Sequence, residues 1–171
     1  MKIETDRLLL VPLSAADLRS MARDKKLTAN KLGWNSLSEE LDPNMSSIYL
    51  LKAANIDKDQ THALFYTYWT IILKKSATLI GEIGLKGIPD SKGEVEVGYG
   101  LAAPEWYGNG YMTEALKAFI DWAFMQAGVR CVIAETEKTN LASQKVLQKA
   151  GMFFLKEEFD YFWWKIGKTD S

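Results

Sequence analysis

Met112-Thr113-Glu114-Ala115-Leu116-Lys117-Ala118-Phe119-Ile120-Asp121-Trp122-Ala123-Phe124-Met125-Gln126-Ala127, closed by Gly128 and followed by Val129-Arg130-Cys131-Val132-Ile133-Ala134, is where the architecture becomes readable. Met112, Ala115, Leu116, Phe119, Ile120, Ala123, Phe124 and Ala127 recur at the i, i+3, i+4, i+7 spacing of one helix face, and Gly128 stands where a helix stop belongs. The run from Val129 to Ala134 is short and apolar, as a buried strand requires. Upstream, Glu94 to Leu101 alternates Glu with Val before Gly98-Tyr99-Gly100. Strand, helix and strand therefore form one βαβ unit, and such a crossover makes its two strands parallel.

Working toward the N-terminus, Leu64 to Leu73 is rich in aromatic and β-branched residues on both alternating faces, which predicts a strand covered on both sides. Lys74-Lys75-Ser76 turns the chain, Ala77 to Lys86 resumes the strand pattern, and Ile88 to Gly93 supplies Pro, Asp, Ser and Gly for another turn. Three consecutive strands with short connections imply an antiparallel meander. Arg7 to Leu13, an apolar run holding Pro12, reads as a first strand, and Ser14 with Asp17 has capping-box spacing for a helix from Ala15 to about Arg23. Residues 24 to 63 read as short helices and loops flanking a cleft, with a second box at Ser36 to Glu39 and an apolar cluster at Ile48 to Leu51. Toward the C-terminus, a helix from about Asn140 to Ala150 stops at Gly151, and strands at Met152 to Glu158 and Tyr161 to Ile166 close the chain. The expected fold is α+β: a mixed, mostly antiparallel sheet with one parallel pair, flanked by helices. No internal repeat or linker divides residues 1–171, so a single domain is expected.

Composition narrows the function. Lys and Arg total 21 against 22 Asp and Glu, a net charge of −1 that gives no global attraction to nucleic acid or anionic lipid. The single Cys131 cannot form an internal disulfide and the single His62 cannot anchor a His-rich metal site, so no metal is expected. The acidic N-terminus lacks a signal-peptide apolar stretch and no run approaches the length of a membrane span, so a soluble, cytoplasmic protein is expected.

The sharpest local feature is Trp106-Tyr107-Gly108-Asn109-Gly110-Tyr111-Met112, two glycines just ahead of the strongest helix. Glycines there let the backbone turn tightly and aim successive N–H groups outward, and the helix terminus adds partial positive charge. A pyrophosphate can then be held without a basic side chain. An ordinary Gly-rich entry to a helix has the same appearance. A Walker loop fails, because Tyr111 and Met112 follow Gly110 where Lys and Ser or Thr are needed. The Rossmann fingerprint fits at Gly108, Gly110 and a strand-end acid, Glu135, but position 113 is Thr and antiparallel strands precede the unit.

On the last helix Ser143 shares the inward face with Val146, Leu147 and Ala150, one turn from Asn140. A hydroxyl bonded one turn back and a plain N-cap explain most such pairs; Asn140 can also reach a ligand in the same cleft. Glu82, Glu94 and Glu96 each point away from the more apolar face of a strand, with Glu96 close in sequence to the glycine bend. A carboxylate at a cleft edge can take a proton from an ammonium, directly or through water; a solvated hairpin face is the competing account. Cys131 in mid-strand reads as a core residue and His62 has no triad partner, so a covalent mechanism is disfavoured. The aromatic tail Phe159 to Trp164 lacks interleaved basic residues and reads as core strand or oligomer surface, which leaves room for a homodimer.

In this order the motifs resemble the GNAT superfamily of acetyl-CoA-dependent N-acetyltransferases, and within it the RimJ/RimL-like branch of ribosomal-protein N-terminal acetyltransferases. The resemblance rests on Glu4-Thr5-Asp6-Arg7-Leu8-Leu9-Leu10, Gly81-Glu82-Ile83-Gly84-Leu85, Val95-Glu96-Val97-Gly98-Tyr99, Gly108 to Leu116, Asn140-Leu141-Ala142-Ser143 and Lys149-Ala150-Gly151-Met152. It implies that acetyl-CoA enters where the parallel strands splay, held by backbone near Tyr99, Gly100 and Leu101, with the pyrophosphate on N–H groups of Gly108, Asn109, Gly110, Tyr111 and Met112. By the same resemblance Asn140 contacts the cofactor, Ser143 protonates the departing thiolate and Glu96 is the preferred amine base, with Glu82 or a water as alternatives. The implied reaction is direct attack of a primary amine, a protein N-terminal α-amine or a small-molecule amine, in a ternary complex. A non-catalytic CoA-binding module with the same fold is the rival. The loop departs from the family in having Glu105 where Gln or Arg is usual, which assigns any cationic help to Lys117 or Lys145.

Overall fold

The computed structural model describes residues 1–36 and 42–169. Its sheet has eight strands in the order β1-β2-β3-β4-β5-β6-β8-β7. These are β1 Ile3–Glu4, β2 Leu8–Pro12, β3 Tyr68–Leu73, β4 Thr78–Leu85, β5 Glu94–Leu101, β6 Cys131–Glu137, β7 Phe153–Glu158 and β8 Tyr161–Gly167. Helices are α1 Ala15–Arg23, α2 Lys25–Lys31, α3 Pro43–Lys58, α4 Ala63–Tyr66, α5 Tyr111–Phe124 and α6 Leu141–Lys149. Every adjacent pair of strands is antiparallel except β5 and β6, which are parallel as the βαβ spacing predicts.

Alternation along the strands loads both faces of the sheet. One face packs Leu8, Leu10, Ile83, Leu85, Val95 and Val97 against Met112, Ala115, Leu116, Phe119 and Ile120 of α5 and Leu147 of α6. The other packs Ile72 and Leu79 against Leu18 and Met21 of α1 and Tyr49, Ala53 and Ile56 of α3. A fully buried aromatic such as Phe119 is worth about 3–5 kcal/mol against alanine, so the α5 face is a principal source of stability.

The parallel pair is short. Glu94, Val95 and Glu96 align with Cys131, Val132 and Ile133, and there the pairing stops. Beyond it β5 bonds only to β4, with Val97 to Leu101 opposite Leu85 to Gly81, while β6 continues against β8. The sheet therefore opens between Gly98–Leu101 and Ala134–Glu137, and the N-termini of α5 and α6 both lie at this opening.

Several expectations need adjustment. The predicted strand from Leu64 begins only at Tyr68; residues 63–66 form a helical turn that buries Phe65 against Trp122, at 6.1 Å between ring centroids. Thr67 ends that turn by donating its hydroxyl to the Leu13 carbonyl at 2.7 Å. Residues 43–58 are one 16-residue helix where short pieces were expected. Its start follows rule, with Asp42 accepting from the Asn44 N–H and Pro43 in the first turn, but exposed Leu50 and Leu51 blur its apolar stripe. α5 stops at Phe124, three residues early, because Met125 and Gln126 donate i→i−3 bonds to Trp122 and Ala123. The capping box at Ser14 and Asp17 forms in full. The second box, Ser36 to Glu39, runs into residues 37–41, outside the described residues.

Candidate active site

Two cavities, of about 440 Å³ and 420 Å³, meet at the open part of β5, and Tyr99, Gly100 and Leu101 line both. The first is the larger and lies between the start of α5 and the start of α6. It is lined by Gly108, Gly110, Tyr111 and Met112 on one side and Asn140, Ser143, Lys145 and Lys149 on the other.

Gly108 and Gly110 both have left-handed backbone, φ +75 and +77, a conformation that costs an L-residue about 1–2 kcal/mol. Gly110 serves as the N-cap of α5 with no side-chain cap, so the first-turn N–H groups have no partner inside the helix, and Tyr111, Met112 and Thr113 of that turn line the cavity. The loop is braced from behind. Arg7 donates Nη1 to the Asn109 carbonyl at 2.9 Å and Nε to the Glu114 carboxylate at 2.6 Å, and its guanidinium lies 4.6 Å from the Tyr111 ring centroid. Thr5 donates its hydroxyl to the same carboxylate at 2.6 Å. These bonds hold the Glu114 carboxyl below the usual carboxylate range despite its partial burial. An exposed ion pair contributes only about 0–1 kcal/mol, so the brace matters for loop geometry more than for stability.

On the opposite wall, the Asn140 side chain caps α6 by accepting from the Ser143 N–H at 3.1 Å. The Ser143 hydroxyl lies 2.8 Å from the Tyr99 hydroxyl, and either can donate. Burial pushes the Tyr99 phenol up to about 12, so it keeps its proton at neutral pH. Lys145 lines the cavity as expected of a phosphate partner; Lys117 does not, and Lys149 joins it.

The second cavity is built of side chains. Glu82, 6% exposed, is the one charged residue in a strand buried along its whole length, and it lies opposite Gly100 in the β4–β5 register. Its carboxylate accepts a hydrogen bond from Tyr49, which is fully buried on α3, and pairs with Lys25 Nζ at 3.3 Å. Burial of the Tyr49 phenol and, second to it, the neighbouring Glu82 carboxylate push its pKa far up. Lys52, also on α3, is buried beside them. It donates to the Leu85 and Tyr66 carbonyls at 3.0 and 3.2 Å and stands 4.3 Å from the Tyr68 ring centroid; burial pulls its pKa down to about 8.

Glu96 shares a sheet face with Glu82 but takes another role. It is ion-paired with Lys86, which also binds Glu135 at 3.1 Å, and Glu96 lines neither cavity. It lies four residue steps along the strand from Gly100, about 13 Å at ~3.3 Å per residue, whereas Glu82 is directly across, about 5 Å between Cα atoms. The geometry therefore joins Glu82, Tyr99, Gly100, Leu101, Gly108, Gly110, Tyr111, Met112, Asn140 and Ser143, and sets Glu96 apart. Asn109 contributes its carbonyl to the Arg7 brace. Glu94 is paired with Lys165, and His62 with Asp59 at 2.7 Å.

Sequence reading missed Lys25, Tyr49 and Lys52. One signal was available: Tyr49, Ala53 and Ile56 stand at i, i+4, i+7, which places Tyr49 on a core-facing helical stripe.

Residues 7–153 match the model of the acetyltransferase (GNAT) domain, and the chain belongs to that family. Its relatives include an uncharacterized N-acetyltransferase, YjdG, of Bacillus subtilis (strain 168), 26% identical over 95% of both chains. The N-acetyltransferase p20 of Bacillus licheniformis is 33% identical over 52% of this chain and 48% of its own. Among solved structures, the ribosomal-protein-S5-alanine acetyltransferase from Vibrio fischeri superposes with a TM-score of 0.71, 20% identity and 99% and 98% coverage of the two chains. RimL, a ribosomal L7/L12 alpha-N-protein acetyltransferase solved with coenzyme A, gives 0.71 at 15% identity and 98% coverage of both. The chain is an N-acetyltransferase, with acetyl-CoA as acetyl donor.

The residues present fit that donor. A Cβ on Gly100 or Gly108 would meet nothing within 4 Å, so the backbone there is open to an approaching chain. The uncapped start of α5, with Lys145 and Lys149 across the cavity, suits a polyphosphate.

Proposed function

We propose that the protein transfers acetyl from acetyl-CoA directly to a primary amine seated beside Glu82, with a protein N-terminal α-amine as the first acceptor class. The observation that carries this reading is the meeting of the two cavities at Tyr99, Gly100 and Leu101, with Glu82 on one side and the Tyr99–Ser143 hydroxyl pair on the other. The acceptor class rests on the likeness to ribosomal-protein acetyltransferases, RimL being named for the α-amine of L7/L12.

Acetyl-CoA supplies an activated thioester, whose carbonyl an amine can attack and whose sulfur leaves. The N–H groups at Gly108 to Met112 would hold its pyrophosphate, with Lys145 and Lys149 nearby, and the Gly100 backbone would flank its extended arm. Glu82, rather than Glu96, accepts the ammonium proton: it faces Gly100 and lines the acceptor cavity, while Glu96 is held by Lys86. Tyr49 and Lys25 orient the Glu82 carboxylate. The Ser143 and Tyr99 hydroxyl oxygens lie 2.8 Å apart, and the protonated phenol can replenish the serine after it gives up a proton. No protein nucleophile takes part.

Calorimetry with acetyl-CoA and an amine and N-terminal peptide panel scored by CoA release test this. Binding with release on peptides is expected. No binding at high micromolar concentration overturns the reading, and binding without transfer to any amine makes the protein a CoA-binding module.

A further inference from the structure

We propose that Lys25 is an internal acceptor: its own ε-amine occupies the seat of the substrate ammonium and becomes acetylated in the cleft. The inference rests on the cofactor and base assignments just made. Lys25 opens α2, whose N-cap is Asp24, and the helix start aims the long side chain into the acceptor cavity. Its ammonium stands 3.3 Å from the Glu82 carboxylate, with side chains 14% and 7% exposed. Gly100, Leu101 and Glu82 line that same cavity, and Gly100 and Leu101 also line the cofactor cavity. A primary amine is thus already ion-paired with the base, in a cavity that shares Gly100 and Leu101 with the cofactor cavity. Lys26, next in the chain, is exposed and lines neither cavity.

The step balances. Two protons leave the Lys25 nitrogen as its bond to the acetyl carbon forms and the carbon–sulfur bond breaks. One ends on the leaving sulfur through the Ser143–Tyr99 pair, and one passes to Glu82 and then to solvent. One lysine ammonium and one acetyl thioester give one acetyl-lysine, one thiol and one proton. Acetylation removes the Lys25 charge and so dissolves its pair with Glu82, which changes the seat offered to an outside amine.

The test is peptide mapping by mass spectrometry of the intact chain after incubation with acetyl-CoA. Label should accumulate on Lys25 at least about tenfold faster than on Lys26, and be slowed at least about a hundredfold by Glu82→Gln, the low end of general-base effects. The labelled fraction per unit time should not depend on protein concentration. Excess coenzyme A must suppress label at Lys25 and leave Lys26 unchanged, a control that holds if Glu82→Gln fails to fold. A readout without cofactor is n-butylammonium binding by calorimetry, about tenfold tighter in Lys25→Ala because the seat is vacated. Equal labelling of Lys25 and Lys26, labelling insensitive to coenzyme A, or unchanged n-butylammonium affinity overturns the proposal. If acetyl-CoA itself does not bind, the function proposed above fails instead, and calorimetry separates the two.

Discussion

The two cavities that meet at Gly100 are built by opposite means. The cofactor side relies on backbone: two glycines at positive φ, an uncapped helix start and the unpaired stretch of β5, with Arg7 bracing the loop from outside. The acceptor side relies on side chains from a strand and two helices: buried Glu82 and half-buried Lys25 line the cavity, buried Tyr49 bonds to Glu82, and buried Lys52 bonds to the Leu85 and Tyr66 carbonyls. Backbone N–H groups carry no titratable proton, so their share of the phosphate site does not change with pH or with the net charge of the chain. Buried ionisable groups are costly to hold and sensitive to their partners, so the second side sets chemistry and selectivity.

The strongest challenge to this division is Glu82→Gln. Turnover should fall about 10²–10⁴-fold while acetyl-CoA affinity, measured by calorimetry, stays within about twofold of wild type. Glu96→Gln should change turnover by less than about threefold, and a larger loss there returns the base to Glu96. Next come the hydroxyls. Ser143→Ala and Tyr99→Phe should each lower kcat by roughly tenfold with little change in cofactor affinity. The double variant should lose less than the product of the two, because they act as one relay. Unchanged kcat in Ser143→Ala removes it from the mechanism.

Gly108→Ala probes the backbone side. Its positive φ makes the substitution cost about 1–2 kcal/mol of stability, read by urea unfolding, with a weaker acetyl-CoA affinity by calorimetry wherever the loop relaxes from that φ and kcat at saturation near wild type. Lys52 gives the pH test. Burial holds its pKa at about 8 against 10.5 in the unfolded chain, so between these values the unfolded chain binds a proton that the folded chain lacks. Stability then rises with pH across that window, by on the order of 2 kcal/mol from pH 8 to 10, and the penalty is greatest below pH 8. Urea unfolding at both pH values should show this rise, and Lys52→Met should flatten it. Arg7→Ala is the smallest effect: less than about 1 kcal/mol of stability, with a modest rise in acetyl-CoA Kd from a loosened loop.

What could be read from the sequence follows the same division. The glycine loop, the α5 stripe, the βαβ unit and the Ser143–Asn140 spacing are local in sequence, because helix caps and backbone turns are made by neighbours. Gly108, Gly110 and Asn140 could therefore be singled out as cofactor-site candidates and Ser143 as a catalytic one, and all four line the larger cavity. The acceptor cluster is assembled across long separations: Tyr49 and Glu82 are 33 residues apart. Glu82 was identifiable as a lone carboxylate in an apolar strand, but its rank over Glu96 depends on the register opposite Gly100 and on Lys86, neither of which alternation encodes. Lys25 was hidden for the same reason, in a segment whose exposed leucines weaken helical periodicity.

The division is tested most directly by a single-turnover measurement of acetyl transfer to an N-terminal peptide by Glu82→Gln saturated with acetyl-CoA. The account predicts a fully loaded protein that transfers at least about a hundredfold more slowly than wild type. Transfer at the wild-type rate would contradict it.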